Sequence, residues 1–511
     1  MAIVVRNSSL RSPQQRSVAP GLVLMAAALV ITGFALLLSS DLTDSFPYIY
    51  LLPWIAGLFV VLLIPTIYLY SQGRLTLMDP LVFATWSYFF PAFIVGGMML
   101  TSGWSQPYFL SFIQDAAYNL PYTVVLIGLG FAGLAAGYFS PFGKKAGAAL
   151  SSFLPSRDFD ASVMLIPGLV LLLIGTFNSV AALILGIIGY QRTDDIESYG
   201  GLVFLTTLFW MQGAFVLWYV VFRSGKLNFR SVALVTLLVT ATVGRALFAG
   251  NRAALLQVFI IALLAFLLAG GRFNLRRTAV AGVILSVCLI AGMIYGTAFR
   301  NVKGSESRVG IDEYTENIFD TFDKLGRFDL ASNLEFGLTG LAVRLDTLSS
   351  VAVVVSNYEE LQPYEESYGL DNNIWKDIST FFIPRIIWSD KPIASEPRKY
   401  SDLYFNYNET SFAITPMGDL LRNYGPIGVP IGMFLFGIVI RFLYRTLIEN
   451  QPITIWRATM YFMLLMAISY ESFYGLLIPY LVKVGLTALV GILIVGLAAR
   501  ALGHRRVAEP V

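Results

Sequence analysis

Long runs of apolar residues, separated by short polar segments, make up most of the chain. A bilayer core is crossed by about 20 apolar residues in helical form, and by this measure the pattern predicts about twelve membrane-spanning helices. The first run is longer than the apolar part of a typical signal peptide and lacks a clear cleavage site, so we expect it to be retained. The predicted spans are residues 20–40, 48–71, 79–100, 119–140, 161–189, 201–223, 230–249, 252–270, 277–297, 425–447, 454–470 and 475–498.

One long polar segment interrupts this rhythm. Residues 298–424 contain 12 Lys and Arg and 20 Asp and Glu. The segment is too polar to be a span and too rich in Trp, Tyr, Phe and Ile to be disordered. Inside it, residues 338–355 are apolar but include Arg344 and Asp346, a pattern typical of an amphipathic helix at the membrane surface.

These patterns predict an all-α polytopic membrane protein. We expect about twelve transmembrane helices and a large external loop that carries short amphipathic helices. The chain then divides into an N-terminal transmembrane bundle of about nine spans at 1–297, the external loop at 298–424, and three spans with a cytoplasmic tail at 425–511.

The composition supports a lipid environment and excludes several chemistries. The chain is 56 % hydrophobic and 13 % charged, whereas soluble domains are about 45–50 % apolar and about 25 % charged. With one Cys and one His, a single chain cannot form a disulfide, a Cys/His zinc site or an iron–sulfur site. A net charge of +3 is too small to indicate a nucleic-acid partner.

The distribution of basic residues predicts the orientation. Cytoplasmic loops of membrane proteins carry an excess of Lys and Arg. With the N-terminus in the cytoplasm, 19 of the 35 Lys and Arg fall in the predicted cytoplasmic segments. We therefore expect both termini inside and residues 298–424 outside, in the periplasm of a bacterial inner membrane protein.

A short turn between the seventh and eighth spans, in VGRALFAGNRAALL, carries Arg245 and Arg252 at membrane depth. Arginine in or beside a span is costly and indicates a functional site. A guanidinium group at a helix N-terminus is well suited to bind phosphate oxygens. The alternative is that both side chains reach towards lipid headgroups.

The external loop offers further cations. Arg300 follows the ninth span, Arg344 lies in LAVRLD, and Arg385 and Lys391 lie in the proline-bounded segment FFIPRIIWSDKP. Each could contact an anionic substrate. An ordinary loop with structural ion pairs explains the same pattern.

Acidic residues are the candidates for proton transfer on the external face, because the single His504 lies in the predicted cytoplasmic tail. Asp419 precedes the tenth span, where it could instead form a structural pair with a nearby arginine. Glu471 lies between the last two spans. Lys483 falls inside the twelfth span and needs a partner that the sequence does not identify.

Several of these segments together resemble the O-antigen polymerase family, whose members polymerise lipid-linked oligosaccharide repeat units in bacterial envelopes. The similarity covers mainly residues 240–440. It rests on the span count, on the large external loop, and on the motifs GNRAALL, RLD, IPRIIWSDKP and GDLLRNYGPIG.

The resemblance implies a membrane glycosyltransferase of the GT-C-like type that needs neither cofactor nor metal. Donor and acceptor would both be oligosaccharides linked to a polyprenyl diphosphate, for example the undecaprenyl diphosphate of lipopolysaccharide biosynthesis. A flippase and a chain-length regulator would be the partner proteins. It further implies a set of site residues: Arg252, Arg385 and Arg344 on the donor diphosphate, Arg300, Lys391 and Arg245 as second choices, and Asp346, Asp419 or Glu471 as the general base.

Three alternatives stay open. O-antigen ligases resemble this architecture but typically have a His in the external loop, which this loop lacks. A transporter or flippase of lipid-linked oligosaccharide predicts polar residues along several spans, and few are present. A non-enzymatic scaffold of an envelope complex would need no external arginines.

Overall fold

A computed structural model describes most of the chain beyond residue 45. The described residues are 46–103, 107–185, 187, 200–224, 228–249, 254–271, 274–303, 311–327, 330–385, 387–388, 390–391, 395–408, 411–504 and 507–508. The predicted first span, residues 20–40, lies outside them.

Helices form nearly all of the described secondary structure. The first ten are α1 Leu52–Ser71, α2 Pro80–Ala84, α3 Gly96–Thr101, α4 Pro107–Ser111, α5 Ala116–Phe139, α6 Pro141–Phe153, α7 Leu165–Ile184, α8 Gly200–Thr207, α9 Phe209–Ser224 and α10 Phe229–Ala249. The remaining ten are α11 Ala254–Leu268, α12 Leu275–Lys303, α13 Ile311–Arg327, α14 Leu330–Leu345, α15 Thr347–Glu365, α16 Asn373–Thr380, α17 Pro397–Phe405, α18 Thr415–Leu447, α19 Ile455–Ala467 and α20 Tyr474–Ala501.

Three shorter helical stretches complete the description. They are the 3₁₀ turns Ile49–Leu51 and Ala161–Val163 and the π-helical stretch Thr85–Val95, which joins α2 to α3 and contains Pro91. Proline has no N–H to donate to the preceding turn, and wider turns accommodate it. The described strands are β1 Arg157–Asp158 and β2 Val507–Ala508, which pair antiparallel.

The all-α polytopic membrane fold is confirmed. Nine helical segments in the described part of the chain are long and apolar enough to cross a membrane: Ile49–Ser71, Pro80–Thr101, Ala116–Phe139, Leu165–Ile184, Gly200–Ser224, Ser231–Phe248, Arg276–Lys303, Thr415–Leu447 and Tyr474–Ala501. Two further predicted spans correspond to the shorter apolar helices Leu255–Leu268 and Ile455–Ala467.

The predicted external loop contains five helices, α13 to α17. The prediction of one surface helix over residues 338–355 is wrong, because α14 ends at Leu345 and α15 begins at Thr347. Residues 351–355 are at most 4 % exposed and belong to the core. The tenth predicted span begins earlier than expected, at Thr415, and residue 425, its predicted start, is a kink where Gly425 has a φ of 67°.

The chain forms two compact units. The first comprises the described residues of 1–140 with Leu345–Glu360 and Leu420–Ile440, and the second comprises the described residues of Pro141–Arg344, Leu361–Asp419 and Arg441–Val511. These units do not follow the three segments that the sequence predicts.

A buried carboxylate organises the first unit. Asp79, which is 2 % exposed, begins α2 and accepts hydrogen bonds from the main-chain N–H groups of Leu81 and Val82 at 3.0 and 3.3 Å. The hydroxyl of Tyr138 donates a hydrogen bond to Asp79 Oδ2, with 2.6 Å between the two oxygens. The side chain therefore both caps a helix and links α2 to the end of α5.

The main chains of α5 and α18 come close together in the first unit because glycines line the crossing. A Cβ atom on Gly137 would lie 1.9 Å from the carbonyl oxygen of Phe434, and one on Gly437 would lie 2.2 Å from that of Leu134. Small residues at helix crossings in membranes allow such close packing.

In the second unit, α9 is buried on every side. Residues 209–221 are all buried, as expected for a helix that is apolar around its whole circumference. Gly175 of α7 admits the main chain of Trp210, since a Cβ there would lie 1.8 Å from its nitrogen. One polar group, Gln212, crosses to α20 and donates from Nε2 to the carbonyl oxygen of Ala488 at 2.8 Å.

We predict that Gly137→Ala destabilises the protein, because a methyl group would overlap the Phe434 carbonyl and force α5 away from α18. Overpacking typically costs about 1–3 kcal/mol, so we expect a lower melting temperature in detergent. The matched control is Gly57→Ala on α1, where a Cβ meets nothing within 4 Å. That control should be neutral or stabilising, and equal melting temperatures for the two variants would contradict the close crossing.

Candidate functional site

Four polar side chains from three segments meet at the N-terminal end of α20, in the second unit. We call Asn373, Asp377, Ser395 and Asp419 the carboxylate cluster. Asn373 and Asp377 lie one turn apart on α16, Ser395 precedes α17, and Asp419 lies in the first turns of α18. Asn373 and Asp419 are fully buried, so each needs hydrogen-bond partners inside the protein.

Hydrogen bonds connect the two carboxylates of the cluster. Asn373 Nδ2 lies 2.8 Å from Ser395 Oγ and 3.1 and 3.2 Å from Asp419 Oδ1 and Oδ2. Ser395 Oγ in turn donates to Asp377 Oδ2. The amide of Asn373 and the hydroxyl of Ser395 therefore bridge Asp419 and Asp377.

The first turn of α20 completes the cluster. The main-chain N–H of Gly475 donates to Asp419 Oδ2 at 3.3 Å, and negative charge is favoured at a helix N-terminus. A Cβ on Gly475 would lie 2.9 Å from Ile374 Cα and 3.0 Å from Asp377 Oδ2. Glycine at this position therefore lets α16 lie directly against α20.

Opposing influences set the pKa of Asp377, which is raised to about 6. Burial of the carboxyl group is the main cause, and the negative charge of Asp419 acts in the same direction. The hydrogen bond from Ser395 and the positive charges of Lys483 and Lys391 oppose the rise. Asp377 is thus poised to change protonation near neutral pH.

Three cations, Arg385, Lys391 and Lys483, accompany the carboxylate cluster, and we call them the cation group. Lys391 Nζ donates to the carbonyl oxygen of Ile383 at 3.2 Å. Burial lowers the pKa of Lys391, and the like charges of Lys483 and Arg385 lower it further. Positive charges that repel one another in this way favour an anionic ligand between them.

The compensating charge described for Lys483 is that of Asp377 in the carboxylate cluster. It lies inside the span Tyr474–Ala501, and its charge interacts with that of Asp377. No hydrogen bond or ion pair within 4 Å holds its ammonium group among the described residues. The structure therefore answers the question that the sequence leaves open, with an electrostatic neighbour rather than a direct ion pair.

A cavity of about 240 Å³ adjoins Lys483. Its walls come from the end of α19, the connection to α20 and the first turns of α20. Leu476, Leu477 and Pro479 supply apolar surface, while polar groups come from Ser469, Ser472, Tyr480 and Lys483. This mixture of apolar walls and a few polar groups is typical of ligand sites.

Two predicted site residues form an ion pair. Arg344 Nη2, at the end of α14, contacts Glu471 Oε2 in the connection between α19 and α20. Their side chains are 54 % and 33 % exposed, and exposed pairs contribute little to stability. The pair is therefore accessible to solvent.

The remaining predicted residues do not join the cluster. Arg245 on α10 stacks over the Trp210 ring at 4.3 Å, and its Nε has no hydrogen-bond partner within the described residues. Arg300 is exposed near the end of α12. Arg252 lies outside the described residues.

Asp346 has a structural task in the first unit. It is 2 % exposed and accepts a hydrogen bond at 3.2 Å from the main-chain N–H of Ser349 in the first turn of α15. This helix-capping position accounts for the burial of its carboxylate.

The sequence analysis missed Asn373, Asp377 and Ser395. One signal was available, because Asn373 and Asp377 are four residues apart and therefore share a face of any helix that contains them. Nothing local indicated that Ser395 and Asp419 would meet that face. Among the described residues, no group of three or more His, Cys, Asp or Glu is placed to hold a metal ion.

We predict that Asn373→Ala destabilises the protein, because it removes the donor that joins Asp419 to Ser395. Leaving buried polar atoms unsatisfied costs about 1–3 kcal/mol, which should lower the melting temperature. Ser379→Ala is the matched control on the same helix, since Ser379 Oγ donates only to the carbonyl oxygen of Lys376. Equal effects of the two substitutions would show that the amide bridge contributes nothing.

Comparison of the chain with protein-family models, curated proteins and solved structures gives no match.

Proposed function

We propose that the protein is a membrane glycosyltransferase that polymerises polyprenyl-diphosphate-linked oligosaccharide repeat units into a surface polysaccharide such as O-antigen. The reaction would take place on the external, periplasmic face of a bacterial inner membrane. The observation that carries the proposal is the combination of the cation group with the carboxylate cluster at the end of a membrane span. The resemblance of residues 240–440 to O-antigen polymerases supports the same reaction.

A lipid diphosphate suits this position chemically. Its polyprenyl chain requires the hydrocarbon region of the bilayer, while its diphosphate requires cations at the membrane boundary. Arg385 and Lys391 lie in the segment before α17, and Lys483 lies within the span that begins beside them. A lysine in a span is costly unless it is paired. The charge of Lys483 interacts with that of Asp377 but makes no direct ion pair among the described residues, and a diphosphate would supply that direct contact.

The same cations would assist the chemical step. Transfer of the growing chain breaks the bond between the anomeric carbon and the diphosphate, and negative charge accumulates on the departing polyprenyl diphosphate. Cations fixed in advance beside that charge stabilise the transition state more than the ground state. We assign this role to Arg385, Lys391 and Lys483, with Arg344 of the exposed pair at the edge of the site.

Proposed donor and acceptor are both lipid-linked oligosaccharides, so no nucleotide sugar enters the proposed reaction. The resemblance to O-antigen polymerases implies that no metal is needed either. Arg245, Arg252 and Arg300 stay predictions from the sequence. Arg245 stacks over the Trp210 ring and Arg300 is exposed near the end of α12, and we assign these two to a second lipid-linked substrate.

One observation favours a second candidate, a transporter of lipid-linked oligosaccharide. Lys483 is a charged residue within a span and lines a cavity, as in many transport pathways. A transporter would move its substrate across the bilayer unchanged, whereas a polymerase would lengthen it.

We predict that the purified protein converts a short synthetic polyprenyl-diphosphate repeat unit into a ladder of multiples, with chelator present and no nucleotide sugar. Lys391→Ala, Arg385→Ala and Lys483→Met should each lower the rate about 10²–10³-fold, as expected for loss of one group that stabilises the transition-state charge. The products are resolved on a gel.

Lys399→Ala is the matched control for this experiment. Lys399 lies on α17 close to the cation group in sequence, but its side chain is 50 % exposed and pairs with Glu396 at 3.4 Å. The Lys399→Ala variant should form the same ladder as the wild-type protein. A wild-type protein that leaves the substrate unaltered but carries it across vesicle membranes would overturn the polymerase and favour the transporter.

A further inference from the structure

We infer that Asp377 is the general base that takes the proton from the acceptor hydroxyl, and that Asp419, Asn373 and Ser395 are positioning residues that hold it in place. This inference rests on the proposed function. It replaces the acids that the sequence suggested with one that the sequence analysis did not select.

The two oxygens of Asp377 have different surroundings. Oδ2 accepts a hydrogen bond from the hydroxyl of Ser395 and faces the first turn of α20 at Gly475. No donor among the described residues reaches Oδ1. The hydrogen bond to Oδ2 therefore fixes the carboxylate and leaves Oδ1 as the oxygen that can accept a proton from substrate.

The other carboxylates are less suited to this role. Asp419 is fully buried, and its two oxygens accept hydrogen bonds from Asn373 and Gly475. Glu471 is occupied by its ion pair with Arg344. Asp377, in contrast, is partly exposed on α16 and lies within electrostatic range of the cation group.

The charges around Asp377 come from each segment packed against α16. Asp419 faces it from α18 and Lys483 from α20, while Lys391 faces it from the segment before α17, with Arg385 next to both lysines. The balance leaves a pKa of about 6. A general base works best when its pKa lies near the working pH, and this value meets that condition.

The proposed step balances. The acceptor O–H bond breaks and its proton moves to Asp377 Oδ1, while the oxygen forms a bond to the anomeric carbon of the donor. The bond from that carbon to the diphosphate oxygen breaks, and its electron pair leaves with the polyprenyl diphosphate beside Arg385, Lys391 and Lys483. Asp377 then releases the proton to solvent.

The test is the pH dependence of ladder formation by the full-length protein. Because the base must be ionised, the wild-type rate should fall about tenfold per pH unit below the pKa of about 6. Asp377→Asn should lower kcat about 10²–10⁴-fold with little change in KM, which is the usual contribution of a general base. Asp377→Glu should recover part of the rate and should keep the decline of the rate at low pH, which we call the acid limb.

Two further variants separate a positioning role from a merely structural one. Asp419→Asn removes a negative charge that raises the pKa of Asp377, so the acid limb should move to lower pH. Ser395→Ala removes a hydrogen bond that lowers this pKa, so the limb should move to higher pH. Asp402→Asn, on α17, is the matched control and should not move it.

The outcomes distinguish this inference from the proposed function. If Asp377→Asn forms the ladder at the wild-type rate, Asp377 is not the general base, and the proposed polymerase activity is unaffected. If Asp377→Asn does not fold, an acid limb that stays in place in both Ser395→Ala and Asp419→Asn overturns the inference equally. Failure of the wild-type protein to form any ladder would instead reject the proposed function.

Discussion

Charges at the end of a membrane span must be compensated locally, because little water is available there to solvate them. In this protein the carboxylate of Asp377 on α16 interacts with the charges of Asp419, Lys391 and Lys483, which come from three other segments. Removing one member of a buried charged group leaves the others without compensation, which is more damaging than replacing the whole group. The packing of α16, α18 and α20 and the chemistry of the site therefore depend on the same set of charges.

The arrangement also separates two tasks between two similar side chains. Asp419 is enclosed by an amide, a main-chain N–H and the start of a helix, which fixes its place. Asp377 shares the hydrogen-bond network but remains partly exposed, and burial raises its pKa to about 6. Two carboxylates with different surroundings can thus act as a fixed charge and as a proton acceptor.

Hydropathy located the nine described segments that are long and apolar enough to cross a membrane, because a span must be apolar over its whole length. Hydropathy misled where a segment is apolar because it is buried in the protein core and not because it contacts lipid. Residues 351–355 are apolar because they lie in the core of the first unit, and Asp346, which suggested a polar helix face, instead caps the start of α15. For the site, charge and position identified Arg385, Lys391 and Asp419. Asp377 was missed because its partners Ser395 and Lys483 are distant in sequence, and only the tertiary fold joins them.

The complete burial of α9 has a consequence for biosynthesis. Gln212, the fourth residue of this helix, donates to the carbonyl of Ala488, which lies 276 residues later in the chain. When α9 first enters the bilayer, its amide has no such acceptor, and it must wait until the last helix is made. Assembly of the second unit therefore cannot finish before α20 is inserted, and a chain that stops short of α20 would leave the Gln212 Nε2 group without this acceptor.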